Sequence, residues 1–142
     1  MEEVLGQRLA SRAGYASMAE VRESEFVLLY FSASWCPPCR NFTPRLMAFY
    51  NEVNQARQQV EVVLISRDRE EAEFHNYYSN MPWLAIPFAS QSRIQDLVEQ
   101  FHVSSIPVLL LLDEDGNLAY GKCKADVESL GPAALAKWRD YL

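Results

Sequence analysis

The hydrophobic positions change period several times along the chain, and each change marks an element. Residues 26–33, FVLLYFSA, form an unbroken apolar run of the length expected of a strand buried on both faces. From Phe42 the period becomes helical, with Phe42, Leu46, Phe49, Tyr50 and Val53 recurring three or four apart. Pro44 lies inside that stretch; it lacks an amide donor, so a kink is expected there. VEVVLIS, residues 60–66, predicts a second strand. REEAEFHNYYSN, residues 69–80, predicts a polar-faced helix whose acidic residues sit at its favourable N-terminal end. MPWLAIPF, residues 81–88, is apolar but carries Pro82 and Pro87, so it reads as a packed loop. Ile94, Leu97, Val98 and Phe101 mark a further helix. VLLLLDEDGNLAYGKC, residues 108–123, reads as two strands joined by a turn at Asp115-Gly116-Asn117. GPAALAKWRDYL closes the sequence as a helix with Pro132 in its first turn and Leu135, Trp138 and Leu142 on one face.

The order is therefore strand, helix, strand, helix, helix, strand, strand, helix. The first two strands need a crossover helix and should be parallel, whereas the last two are close enough for an antiparallel hairpin. This predicts an α/β protein with a mixed central sheet and helices on both faces. A doubly wound nucleotide-binding fold would need a glycine-rich turn after its first strand, and none of the five glycines lies there.

Length and charge narrow the picture. The 142 residues suit one domain, 1–142, with its own core. A net charge of −6 without clustered Lys or Arg argues against nucleic acid as a partner. No apolar run approaches the roughly 20 residues that cross a bilayer, so no membrane partner is expected. The opening MEEVLGQRLASR carries Glu2 and Glu3 at its start, is amphipathic and does not resemble a secretory signal. Three cysteines, two of them three residues apart, do not form the even, dispersed set of a disulfide-stapled secreted domain. A reducing compartment follows, and the expected localisation is cytoplasmic.

The chemistry concentrates in SASWCPPCRNF, residues 32–42. Cys36 follows the first strand and Cys39 lies one turn into the next helix, so both sulfurs share a helical face within bonding reach. Cys36 then occupies a helix N-terminus, where unpaired amides and the macrodipole favour an anion and raise the thiolate fraction. Pro37 and Pro38 break no internal hydrogen bond at a helix start, and their fixed φ preorganises the turn. They also remove two amides from the thiolate's surroundings, leaving the Cys39 amide and the dipole to stabilise it. Rigid spacing limits the separation of the sulfurs after reduction and so tunes the potential. A zinc clamp would need four ligands, and Cys123, His75 and His102 stand singly, so no metal and no cofactor is expected. A structural crosslink over three residues would restrict the unfolded chain little. Redox chemistry is the reading these residues support.

YFSASWCPPCRNFTP, MPWLAIPF and SSIPVLLLLD, in that order, resemble the tryparedoxin and nucleoredoxin branch of the thioredoxin superfamily, over roughly 27–121. The resemblance implies a thioredoxin-like fold and a thiol–disulfide oxidoreductase. It also implies that Cys36 attacks, that Cys39 resolves the mixed disulfide, and that Ile106-Pro107 is a cis bond facing them. Where thioredoxins keep a buried aspartate in the first strand, this chain has Tyr30. Asp68 is then a candidate proton acceptor for Cys39, with a helix N-cap ahead of Glu71 as the alternative. Tryparedoxins usually carry tryptophan where Arg67 stands, and an arginine-rich stretch where Lys122 and Lys124 stand. Both departures weaken trypanothione as the reductant, and SRD is nearer to the nucleoredoxin style.

Trp35 reads as an exposed aromatic shielding the disulfide, Trp83 and Trp138 as packing residues, and Cys123 as a small buried hydrophobe. His75 and His102 read as structural. Two functions use the same cysteine pair. One is an oxidoreductase passing electrons from a small thiol or flavoprotein reductant to oxidised proteins such as peroxiredoxin-type peroxidases. The other is a binding module that holds a signalling partner and releases it on oxidation.

Overall fold

The computed structural model describes residues 1–6, 8–11, 14–18, 21 and 23–142. Within the amphipathic opening segment, Gln7 and Arg12 lie outside the described residues. Seven strands form one sheet: β1 (Arg8–Ser11), β2 (Gly14–Ser17), β3 (Phe26–Ser32), β4 (Val60–Ser66), β5 (Leu84–Ala85), β6 (Val108–Leu112) and β7 (Leu118–Tyr120), in the order β2-β1-β5-β4-β3-β6-β7. The described helices are α1 (Glu2–Leu5), α2 (Pro37–Val53), α3 (Glu71–Tyr78), α4 (Gln91–Gln100), α5 (Cys123–Leu130) and α6 (Ala134–Arg139), with a 3-10 turn at Gly131–Ala133 before α6.

The unbroken apolar runs become the centre of the sheet. β3 and β4 pair in parallel from Phe26 with Val60 to Ser32 with Ser66, and every residue of both is buried. β6 pairs antiparallel with β3, from Val27 opposite Leu112 to Phe31 opposite Val108. Successive side chains alternate faces. Phe26, Leu28, Tyr30, Val62, Leu64, Leu109 and Leu111 therefore point into one core with α2, α3, α5 and α6. Val27, Leu29, Phe31, Val63, Ile65, Leu110 and Leu112 point into a second core with α1 and α4. The five apolar positions expected to face inward from α2 are all buried, and the helix runs on through Pro44, which is exposed.

Three sequence expectations change. Between Pro82 and Pro87, Leu84 and Ala85 form β5, which pairs in parallel with β4 and meets β1 at Ala10. So short a strand leaves no periodicity to read. The strand expected to run to Cys123 stops at Tyr120, and Cys123 opens α5, with Asp126 in its first turn and Val127 buried. The closing helix is shorter than expected: Gly131, at φ 56 in the left-handed region suited to glycine, ends α5, Gly131–Ala133 form a 3-10 turn, and α6 covers only Ala134–Arg139. Leu135 and Trp138 are buried as expected, but Leu142 lies beyond α6 and is 49% exposed.

The parallel β3–β4 pair brings two loops to one edge of the sheet. β3 ends at Ser32 and feeds the cysteines; β4 ends at Ser66 and feeds Arg67–Arg69. Antiparallel β6 starts at the same edge, so Ser105, Ile106 and Pro107 arrive there too.

Candidate active site

Cys36 is the N-cap of α2, with extended backbone at φ −101 and ψ 108, and Pro37 and Pro38 fill the first two helical positions. The Cys39 amide donates to Cys36 Sγ at 3.3 Å, so the one amide the prolines leave within reach is aimed at that sulfur. The two cysteines are joined as a disulfide, with Cα atoms 5.2 Å apart. Ala33 and Ile106 pack against them. Their accessibility differs: Cys36 keeps 5% of its surface and Cys39 none. The Ile106-Pro107 bond is cis, and Ile106 O lies 3.8 Å from Cys36 Sγ.

Behind Cys39 lies a chain of hydroxyls. Thr43, one turn further along α2, donates from Oγ1 to the Cys39 carbonyl at 2.9 Å. Tyr30 Oη is 2.7 Å from Thr43 Oγ1 and 3.4 Å from the same carbonyl. Tyr77 Oη bridges Thr43 Oγ1 and Ser32 Oγ at 2.8 Å each. Burial pushes the Tyr30 phenol far above its ordinary value, so it stays protonated and serves as a donor. Sequence reasoning missed all three partners; the position of Thr43, four residues after Cys39 on the same helical face, could have pointed to it, but Tyr77 and Ser32 carry no such signal.

Asp68 is buried and comes to the cysteine edge, but as a strut. One carboxylate oxygen accepts from the Ser34 amide at 3.0 Å and from Ser34 Oγ; the other accepts from Ser66 Oγ at 2.7 Å. The loops after β3 and β4 are tied together through it. Among the described residues no hydrogen bond links Asp68 to either cysteine. The N-cap alternative does not hold either, since Glu70 caps α3. The loop turns once more before the helix begins, and Asp68 is spent within it.

Trp35 is 46% exposed, and its indole N–H donates to Arg67 O at 3.1 Å. The Arg69 guanidinium stands 5.5 Å from its ring centre. These residues line a groove of about 920 Å³ that opens onto Cys36, with Ser104, Ser105 and Ile106 on its far wall. Trp83 and Trp138 are core residues, and Cys123 is a buried free thiol whose pKa burial pushes far up. His75 faces Glu71 along α3 at 3.9 Å, and His102 follows the C-cap of α4 with φ 54; neither lines the groove.

A helix that opens on a disulfide, hung from the end of a central strand and faced by a cis-proline loop, defines a thioredoxin-like protein. The description "Thioredoxin-like" matches residues 24–118. Tryparedoxin from Trypanosoma brucei brucei is 47% identical over 113 residues, 80% of this chain and 77% of that protein. The solved structure of tryparedoxin from Trypanosoma brucei superposes with a TM-score of 0.85 at 41% identity, covering 93% of this chain and 91% of that one. Zebrafish (Danio rerio) nucleoredoxin is 37% identical over 116 residues, 82% of this chain but 28% of that longer protein. The chain belongs to the thioredoxin-like family, in its tryparedoxin and nucleoredoxin branch. Together, family and cysteine pair make it a thiol–disulfide oxidoreductase. No helix among the described residues is long and apolar enough to cross a membrane.

Proposed function

We propose that this chain, one thioredoxin-like unit over 1–142, reduces protein disulfides with Cys36 as the attacking sulfur and Cys39 as the resolving one. The observation that carries the reading is the split in accessibility: Cys36 reaches the groove, while Cys39 is sealed behind it. In the reduced protein the Cys36 thiolate attacks one sulfur of the substrate disulfide, which forms a mixed disulfide and expels the other sulfur as a thiolate. Cys39 gives up its proton to that leaving thiolate and attacks Cys36 Sγ. The second substrate thiolate leaves, and the Cys36–Cys39 disulfide closes. Two electrons pass to the substrate, and two equivalents of a small thiol restore the dithiol.

The helix N-terminus and the Cys39 amide favour the Cys36 thiolate as the nucleophile of the first step. Pro37 and Pro38 fix the turn, and Pro107 brings the Ile106 backbone beside the attacking sulfur. Trp35 walls the groove, Asp68 positions the Ser34 loop against the β4 loop, and Tyr30 anchors the Cys39 carbonyl through donation. The setting is cytoplasmic, and an oxidised peroxiredoxin-type peroxidase is the acceptor that family resemblance suggests. Insulin reduction by dithiothreitol tests the activity. Wild-type protein should accelerate it, Cys36→Ser should not, and Cys39→Ser should accumulate covalent complexes that dithiothreitol releases. Equal activity of wild type and Cys36→Ser would refute the proposal.

A further inference from the structure

The groove beside Cys36 has a charge opposite to that of the chain. The whole sequence carries 13 basic and 19 acidic residues, and four of the bases outside the groove are paired: Arg45 and Lys124 with Glu128, Lys137 with Asp126, Arg139 with Glu25. Arg67 and Arg69, which line the groove, and Arg40, just beyond Cys39, form no ion pair among the described residues. Arg40 Nη1 donates to Ser34 O at 2.8 Å, which holds its charge at the cysteine loop. Arg69 lies over Trp35, and Arg67 is held by its backbone carbonyl to the same indole. The Arg40 and Arg69 guanidinium groups are thus held at the cysteine loop, and the Arg67 backbone is anchored beside them, with no ion pair among the described residues to neutralise any of the three.

The opposite charge inside the groove is already committed. Asp68 is the only carboxylate among the described residues lining it, and its oxygens accept from Ser34 and Ser66 rather than from either arginine. The remaining polar lining is neutral: Gln91, Gln95, Ser104 and Ser105. Guanidinium groups left unpaired at the mouth of a concave site attract carboxylates, which they bind in a planar, two-pronged manner. At about 920 Å³ the groove also exceeds what the sulfur-bearing residue alone would fill. It has room for a segment of several residues.

We infer that this groove selects a protein disulfide whose cysteine lies in an acidic segment, with Arg67 and Arg69 reading the carboxylates that flank the exchanged sulfur. The inference rests on the reading of the chain as a protein-disulfide reductase. The exchange step is unchanged, and the arginines act on the encounter and on the positioning of the substrate sulfur over Cys36.

The test uses two synthetic peptides of equal length, each closed by the same disulfide. One carries Glu and the other Lys, three positions from each cysteine, so that sulfur acidity is matched; equal rates of reduction by dithiothreitol alone verify the match. The pre-reduced protein should reduce the Glu peptide with a kcat/KM about tenfold higher at low ionic strength. The ratio should approach one in about 1 M salt, where the Debye length is ~3 Å. Arg67→Glu with Arg69→Glu should invert the preference, and Arg67→Gln with Arg69→Gln should abolish it. Equal reduction of both peptides by the wild-type protein, or a preference that survives both double variants, would overturn the inference while leaving the reductase reading intact. Failure to reduce either peptide would instead overturn the reductase reading.

Discussion

Cys36 and Cys123 both sit at the start of a helix, Cys36 as the cap of α2 and Cys123 as the first residue of α5. A helix N-terminus is often invoked to explain a reactive thiol, yet these two sulfurs are in opposite chemical states. Cys36 receives an amide from Cys39, touches a second sulfur and reaches an open groove lined by arginines. Cys123 is completely buried in the core shared by α2, α5 and α6; its Sγ is 3.9 Å from the Tyr120 carbonyl. Burial pushes its thiol pKa far up, and the negative charge of Asp126 adds to the shift. The dipole is common to both sites. Desolvation and the nearby negative charge of Asp126 keep Cys123 a thiol despite that dipole.

The comparison breaks most sharply at the level of turnover. Cys36→Ser should lower disulfide reduction to the uncatalysed rate, whereas Cys123→Ser should leave kcat/KM within about twofold of wild type in any protein that remains folded. Comparable losses in the two variants, with near-ultraviolet circular dichroism intact, would erase the distinction. The next effect is on alkylation. In the reduced protein at neutral pH, iodoacetamide should modify Cys36 at least about tenfold faster than Cys123, as read by peptide mass mapping, because the thiolate is the reacting form.

Smaller effects sharpen the picture of the Cys123 side. Asp126 is buried and holds Lys137 Nζ and Trp138 Nε1, each at 3.0 Å. Trp138→Phe removes the indole N–H together with part of the buried ring system, leaving the carboxylate short of a donor and a gap in the core, and urea unfolding should register a loss of at least about 1–3 kcal/mol. Burial alone would raise the Asp126 carboxyl, but the hydrogen bonds from Lys137 and Trp138 outweigh it and hold the pKa below the ordinary range. The folded-state value is thus below the unfolded one. This clasp contributes stability above the unfolded value of ~3.9 and loses it as pH falls through the folded value. In wild type the melting temperature should therefore drop on acidification below about pH 4. The part of that drop due to Asp126, the smallest of these effects, should be missing from Asp126→Asn.

Much of this was readable before the fold was known, for definite reasons. β3, β4 and the inward face of α2 announce themselves because burial on a fixed period forces it onto the residues. The Cys36–Pro37–Pro38–Cys39 turn is equally local: every atom that shapes it lies within four residues. What escaped was set by tertiary partners. β5 is two residues long and exists because β1 and β4 flank it. β1 falls in the opening stretch that reads as an amphipathic segment and β2 lies beyond it, and pairing of β1 with β5 joins both to the sheet. Asp68 shows the same limit at the site. Its sequence position suits a proton acceptor or an N-cap, and gives no sign that serines from two loops converge on it and tie those loops together. The arginines on either side of it were visible in SRDR, and their meaning came only when the parallel β3–β4 pair set that loop against Cys36.

The central claim is that Cys36 alone meets the substrate. Cys39→Ser protein, reduced and then mixed with an oxidised disulfide peptide, tests it by digestion without reductant and mass spectrometry of the cysteine-containing fragments. The account predicts a single adduct, one substrate thiol per chain, on Cys36, with Cys123 unmodified. An adduct on Cys123, or its persistence in Cys36→Ser, Cys39→Ser protein, would contradict it.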